Sequence, residues 1–275
     1  MEEHTKVSLI AVVLIAIIGL IFGIYYFLIK EKPRQVQPQP IKVQKEISKI
    51  PEKKPSKEEK KFPELKGITL DNSDIKIREL ARKISSHPLF IIWLKQEDLI
   101  RKFTAVVDNI ANGESPRPHL EFLAPKENFK VIKRNGKIYI SPESYRRYDS
   151  IADVFYSLDT RACVELYRQI KPLIQQAYRE LGYPTKNFDE TLKAAIIELL
   201  KTPIVEGEIE LKEKVVTYKI ADPKLEELSA PQKHLLRMGT ENVLKIQDKL
   251  REFAIELGIP ENELPEPIIY STETY

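Results

Sequence analysis

The chain has 275 residues, 42% of them apolar and 31% charged, enough for one sizeable core or two small ones and too few for a large multidomain machine. Its net charge of +3 is unevenly placed: residues 1–29 hold one Lys against two Glu, residues 30–66 hold eleven Lys and one Arg against six Glu, and the remaining 209 residues hold 31 basic against 33 acidic side chains. A nucleic-acid-binding domain carries its basic excess on the folded part, so nucleic acid is not an expected partner, and the single cysteine, Cys163, rules out an internal disulfide framework.

After a short tail, residues 1–6, the 23 residues from Val7 to Ile29 carry no charge. As a helix they reach ~34 Å, enough for a hydrocarbon core of ~30 Å. No short apolar region with a small-residue cleavage site is present, so the segment is expected to be an uncleaved transmembrane signal anchor. Tyr25 and Tyr26 suit the membrane interface, and Gly19 and Gly23 have the spacing that lets two membrane helices approach as a dimer. Residues 30–66 hold six prolines and no glycine and lack an apolar period, which predicts a disordered, semi-extended linker. Two arguments about orientation oppose each other. The lysines flanking the C-terminal side of the anchor place the body in the cytoplasm, whereas a long stalk suits a body held away from the bilayer across a periplasm.

The body, residues 67–257, begins with a helix capped by Ser73 that places Ile77, Leu80, Ala81 and Ile84 on one face. A second starts at Pro88 and carries the only tryptophan, Trp93, expected to be buried. From Glu97 to Asn112, Leu99, Phe103, Val106, Val107 and Ile110 form an apolar arc, opposed by Asp98, Arg101, Asp108, Asn109 and Asn112. Asp108 and Asn109 interrupt an apolar run, so they are read either as solvated or as bonded to the following "SPRPHLEFL" loop.

Asn135-Gly136 between alternating apolar residues reads as a two-residue hairpin over 129–140, with a second strand region at 208–220 to pair with it. Ser141 and Pro142 start a helix on which Tyr145, Tyr148, Asp149, Ala152, Phe155 and Tyr156 share one face, with Arg146 and Arg147 pointing elsewhere. That face is expected to be core, with Asp149 accepting from a tyrosine hydroxyl or an arginine, and a ligand site is the alternative. A long helix follows from about Thr160 to Leu181, bent or locally broken at Pro172, then one capped by Asp189. A Ser229-x-x-Gln232 capping box, a break at Gly239 and a last helix to about Leu257 close the body. An acidic, proline-rich tail, 258–275, is either pinned to the body or free for a partner.

The blocks "DLIRKFTAVVDNIANG", "SPRPHLEFL", "SYRRYD", "RELGYP" and "APQKHLLRMGTENVLKIQ" occur in this order over residues 65–255, and in them the chain resembles the bacterial family called domain of unknown function 3014. The resemblance implies a single-pass envelope protein with an unassigned body, and transfers no catalytic role or cofactor. It favours an extracytoplasmic body. The fold class expected is mainly α (α+β): an N-terminal transmembrane helix, a disordered linker and a helical body with a small antiparallel β element.

The nine glycines form no phosphate-binding or dinucleotide fingerprint, and the four histidines form no metal-ligand spacing, so neither metal nor cofactor is expected. The leading expectation is a membrane-anchored, non-catalytic binding or scaffold domain at the bacterial inner membrane, its C-terminal domain periplasmic and its partner an envelope protein or cell-wall polymer. The polar residues of the blocks are the candidate binding set: Arg101, Asp108, Asn109, His119, Tyr145, Arg146, Arg147, Asp149, Lys233, His234 and Arg237. The alternatives are an envelope hydrolase acting on peptidoglycan through a carboxylate base, and a cytoplasmic-side adaptor tethered to the membrane.

Overall fold

A computed structural model of the protein describes residues 67–272 apart from Val216. The anchor predicted over 7–29, with its Gly19/Gly23 dimer contact, and the linker 30–66 lie outside the described residues. Among the described residues no helix is long and apolar enough to cross a membrane.

The body is helical with a small antiparallel sheet. In chain order come α1 (Ser73–Ala81), α2 (Pro88–Trp93) and α3 (Leu99–Ala111), then the hairpin β1 (Val131–Arg134) and β2 (Lys137–Ile140). Next are α4 (Pro142–Arg146), α5 (Asp149–Tyr156), α6 (Thr160–Glu180) and α7 (Phe188–Leu200). The chain continues through β3 (Ile204–Glu206), β4 (Glu210–Glu213), β5 (Tyr218–Ile220), α8 (Pro223–Glu226), α9 (Ala230–Leu236), α10 (Thr240–Leu257) and β6 (Ile269–Ser271).

Three cores hold these elements together. In the first, α1, α3 and α6 close over the start of α7 through Leu80, Ile100, Val107, Ile174, Tyr178 and Phe188. In the second, α10 lies across α5 and α7 through Ala152, Ile196, Leu200, Val243 and Leu250. The third lies under the sheet, where Val131, Ile140, Leu211 and Ile220 meet Leu225 of α8 and Leu236 of α9. Strand β3 joins two of them by its period of two: Ile204 faces the second core and Val205 the third.

The sheet has the order β1-β2-β4-β5, all antiparallel. Asn135 and Gly136 take φ of 52° and 73°, the double positive φ that a two-residue type I′ turn requires. A second, parallel pairing of β3 with β6 was not anticipated. It pins the tail to the body, and Leu264, 6% exposed, reaches the second core.

Several local expectations are corrected. The buried stripe of α3 is Ile100, Thr104, Ala105 and Val107, while Phe103 stands 40% exposed at the rim against Phe188. Small residues win the inside where helices approach closely, and Thr104 satisfies its hydroxyl by donating to Ile100 O at 2.8 Å. Trp93 is only half-buried, edge-on to Phe122. The expected single helix after Ser141 is two, broken at Arg147–Tyr148, so its apolar face is divided between cores and Tyr156 is 46% exposed. Helix α6 runs through Pro172 as one element. Asn187, not Asp189, caps α7, accepting from Asp189 N.

Candidate functional site

The break between α4 and α5 creates the most informative surface. Ser141 caps α4, and Ser144 locks that helix to the hairpin: its hydroxyl donates to Lys130 O at 2.8 Å and accepts from Lys130 N at 2.7 Å. Arg147 then folds back, donating to Glu127 O at 2.8 Å and Ser144 O at 3.1 Å, with its guanidinium over the rings of Phe129 and Tyr148. Between these segments lies an open groove of about 580 Å³, lined by Glu127, Lys130, Glu143, Arg146, Arg147, Asp149 and Asp153 among others.

Most charges in this groove are held from behind. Asn242 of α10 donates to Asp149 Oδ1 at 2.9 Å, in place of the expected tyrosine or arginine, and Lys245 pairs with Asp153 at 2.7 Å. Lys130 pairs with Glu143 and holds that carboxyl below its usual range. Arg146 and the Glu127 carboxylate are the exceptions, and Arg146 is the only one of the two that is a cation. It is exposed, and its guanidinium makes no hydrogen bond or ion pair among the described residues.

Tyr145 faces inward against the sheet core, and burial, aided by the charge of Glu208, pushes its hydroxyl pKa well above the ordinary value. Its ring root abuts Gly239 so closely that a Cβ there would lie 2.7 Å from Tyr145 Cβ and Cγ. Tyr145, Asp149, Gly239 and Asn242 thus form one joint that seats α4 and α5 on α10.

A second corner lies between the loop after α3 and α9. Asn109 donates to Ser115 O at 3.2 Å, so of the two readings of this residue the bond to the following loop is the one observed. The Ser115 hydroxyl meets His234 Nε2 at 2.8 Å. Burial lowers the His234 pKa, and the charges of Arg237, Arg117 and Lys233 lower it further, so the ring is neutral at pH 7. Lys233 donates to Glu226 O at 2.8 Å. His119 ends a short 3-10 turn, Arg117–His119, on the same loop, half-buried.

Two candidates belong to neither place. Arg101 ties Asp71, Asp98 and Glu180 together at 2.7, 3.3 and 2.9 Å, a strap joining α3 to the 3-10 turn Leu70–Asn72 before α1 and to the end of α6, and hydrogen bonding to Glu180 and Asp71 holds its pKa above the ordinary value. Asp108 accepts from the Tyr183 hydroxyl at 3.4 Å, and its partial burial pushes its carboxyl pKa up.

Sequence reasoning missed Ser115, Lys130, Glu143, Asp153 and Asn242, none of which belongs to a motif with a chemical signature. It also missed a smaller cavity of about 320 Å³ at α6 and α7, where Tyr167 and Lys171 both donate to Asp189. Burial raises the Asp189 carboxyl, but those donors outweigh it and hold the pKa below the ordinary value. Among the described residues no group of three or more His, Cys, Asp or Glu could hold a metal ion.

A family model described as "Protein of unknown function (DUF3014)" matches residues 99–254, the stretch that contains both the groove and the His234 corner. No curated protein and no solved structure matches the chain.

Proposed function

The chain belongs to the family of unknown function described as DUF3014, and from that premise we propose that it is a membrane-anchored, extracytoplasmic binding or scaffold domain of the bacterial cell envelope that does no chemistry of its own. Its anchor is the apolar segment Val7–Ile29, its spacer the proline-rich linker, and its partner an extended polar ligand, an envelope protein or cell-wall polymer, lying in the groove along α4 and α5. The observation that carries the reading is the groove itself: open, lined by both signs of charge, and offering one exposed guanidinium, that of Arg146, without a partner among the described residues. Lys130, Glu143, Arg147, Asp149 and Asp153 are each held by a protein partner, which keeps their positions fixed before a ligand arrives.

The test uses the full chain. A reporter active only outside the cytoplasm, fused after Tyr275 so that β6 is kept, is expected to be active. Purified peptidoglycan sacculi and solubilised envelope proteins are then titrated against the wild type and Arg146→Glu. Loss of one charge-assisted contact and its replacement by repulsion predict affinity lower by about tenfold or more, with an unchanged melting temperature. A silent reporter would refute the extracytoplasmic placement in favour of the adaptor reading, and undiminished binding by Arg146→Glu would remove the ligand from this groove.

The hydrolase reading has one observation in its favour, the raised carboxyl of Asp108 beside Tyr183. It predicts release of soluble fragments from sacculi, abolished in Asp108→Asn.

A further inference from the structure

The corner between the loop after α3 and helix α9 is built more firmly than a surface loop needs to be. Ala230 N donates to Gly113 O at 3.2 Å, Asn109 holds the Ser115 carbonyl, and Pro116 is buried, so the loop is fixed at three successive points. What this fixing positions is the Ser115 hydroxyl, 2.8 Å from His234 Nε2 and 3.4 Å from Arg117 N. Arg237 follows His234 by three residues at the end of α9, where helical geometry keeps it on the same face.

The charges around the pair are cationic. Arg237, Arg117 and Lys233 all act on the His234 ring, and Lys233 already donates to a carbonyl. The guanidinium groups of Arg117, exposed, and Arg237, half-buried, make no hydrogen bond or ion pair among the described residues. A guanidinium carries five donors and no acceptor, so two of them beside one hydroxyl, neither using a protein acceptor, suit an anion with several oxygens. The other half-buried arginines, Arg78, Arg101, Arg147 and Arg251, all have protein acceptors, whereas the exposed Arg82, Arg161 and Arg179 have none among the described residues.

We propose that Ser115, Arg117, His234 and Arg237 form a binding site for a phosphoryl group. The two guanidinium groups pair with its oxygens, and the Ser115 hydroxyl donates to it while its oxygen accepts the Nε2 proton of the neutral His234 ring. A phosphoryl group fits because it offers several acceptor oxygens and matches the fork of a guanidinium. A lone carboxylate has only two oxygens for the same donors. The site is separate from the groove at Arg146, and the inference does not rest on the groove having a ligand. Two sources share this chemistry: a phosphodiester, as in a lipid headgroup, and a phosphomonoester.

The test is calorimetric titration of the full chain in detergent micelles with inorganic phosphate, with glycerophosphoglycerol as the diester and with acetate. Phosphate or the diester is expected to bind with Kd of about 1 mM or tighter and acetate about tenfold more weakly. Arg117→Ala and Arg237→Ala are each expected to weaken binding about tenfold and Ser115→Ala by less, while Arg161→Ala, an exposed change on α6, leaves it unchanged. Tighter binding of the diester assigns the site to a lipid-type headgroup, and tighter binding of inorganic phosphate assigns it to a monoester. Because Arg117 is exposed, its variant keeps the test valid even if Arg237→Ala disturbs folding. No binding of either probe at 10 mM (about ten times the expected Kd), equal binding of acetate, or binding unaffected by Arg117→Ala would overturn the proposal.

Discussion

Replacing Gly239 by alanine tests whether the seating of α4 on α10 depends on bare backbone. Gly239 has φ of 85° and ψ of 158°, a region essentially reserved for glycine, where another residue costs about 1–3 kcal/mol. The added Cβ would also lie 2.7 Å from Tyr145 Cβ and Cγ. Neither is the far end of a flexible side chain, so a shift of α4 is required, with an overpacking cost of about 1–3 kcal/mol. The two terms together predict a loss of about 2–6 kcal/mol, a large share of the 5–15 kcal/mol by which domains are typically stable. Gly258→Ala is the matched control: φ is 91° and ψ is 18°, nothing lies within 4 Å of the added Cβ, and only the left-handed cost of about 1–2 kcal/mol applies. Both variants are compared with the wild type by urea denaturation, reading the midpoint at constant slope. If Gly239→Ala loses no more than Gly258→Ala, the close approach to Tyr145 does not constrain the fold and the account of this joint is wrong.

Asn242→Ala removes a buried donor shared by Asp149 Oδ1 and Met238 O, both at 2.9 Å, and is expected to cost about 2–3 kcal/mol in the same assay. It is also expected to weaken whatever binds in the groove, since Asp149 loses its support. Arg101→Leu breaks three ion pairs whose members are all at least one-third exposed; after allowance for solvent screening the loss is about 1 kcal/mol and shrinks in 1 M NaCl, as two-salt denaturation would show. Asp108→Asn carries a pH signature. The folded pKa is raised above the unfolded value, chiefly by burial, so the folded state binds more protons between the two values and the wild type loses stability as pH rises through that window. The asparagine variant, which keeps an acceptor for Tyr183, is therefore expected to be the more stable at pH 7 and to lose that advantage below about pH 4. An advantage that persists at pH 3 would show that packing rather than charge is responsible.

Local chemistry made much of the fold legible. Asn135-Gly136 predicts its hairpin because few dipeptides accept two consecutive positive φ values, and Ser229 and Gln232 predict a helix start because each satisfies the other's backbone donor. What was hidden depended on distant partners. The β3–β6 pairing joins residues more than sixty positions apart, and neither three-residue strand has a period long enough to be read alone. The rotation of α3 had the same origin: an apolar arc weighted by side-chain size places Phe103 inside, whereas packing against α6 and α7 selects Thr104 and Ala105.

The candidate residues show where sequence reading of a site runs out. Polar residues inside recognisable blocks read alike as a binding set, yet Arg101, Asn109, Arg147, Asp149 and Lys233 each have an acceptor or donor on another segment that explains their presence structurally. A polar side chain within an apolar pattern signals that some group must be satisfied, and the pattern does not say whether that group belongs to the protein or to a ligand. The internal bonds of the fold separate the two cases. Once every internal bond is assigned, Arg146 in the groove and Arg117 and Arg237 beside the Ser115–His234 pair are the members of these two surfaces whose guanidinium groups have no hydrogen-bonded or ion-paired protein partner among the described residues. Two such groups meet at the His234 corner against one in the groove, so an anion finds more unused guanidinium donors at that corner than in the larger groove.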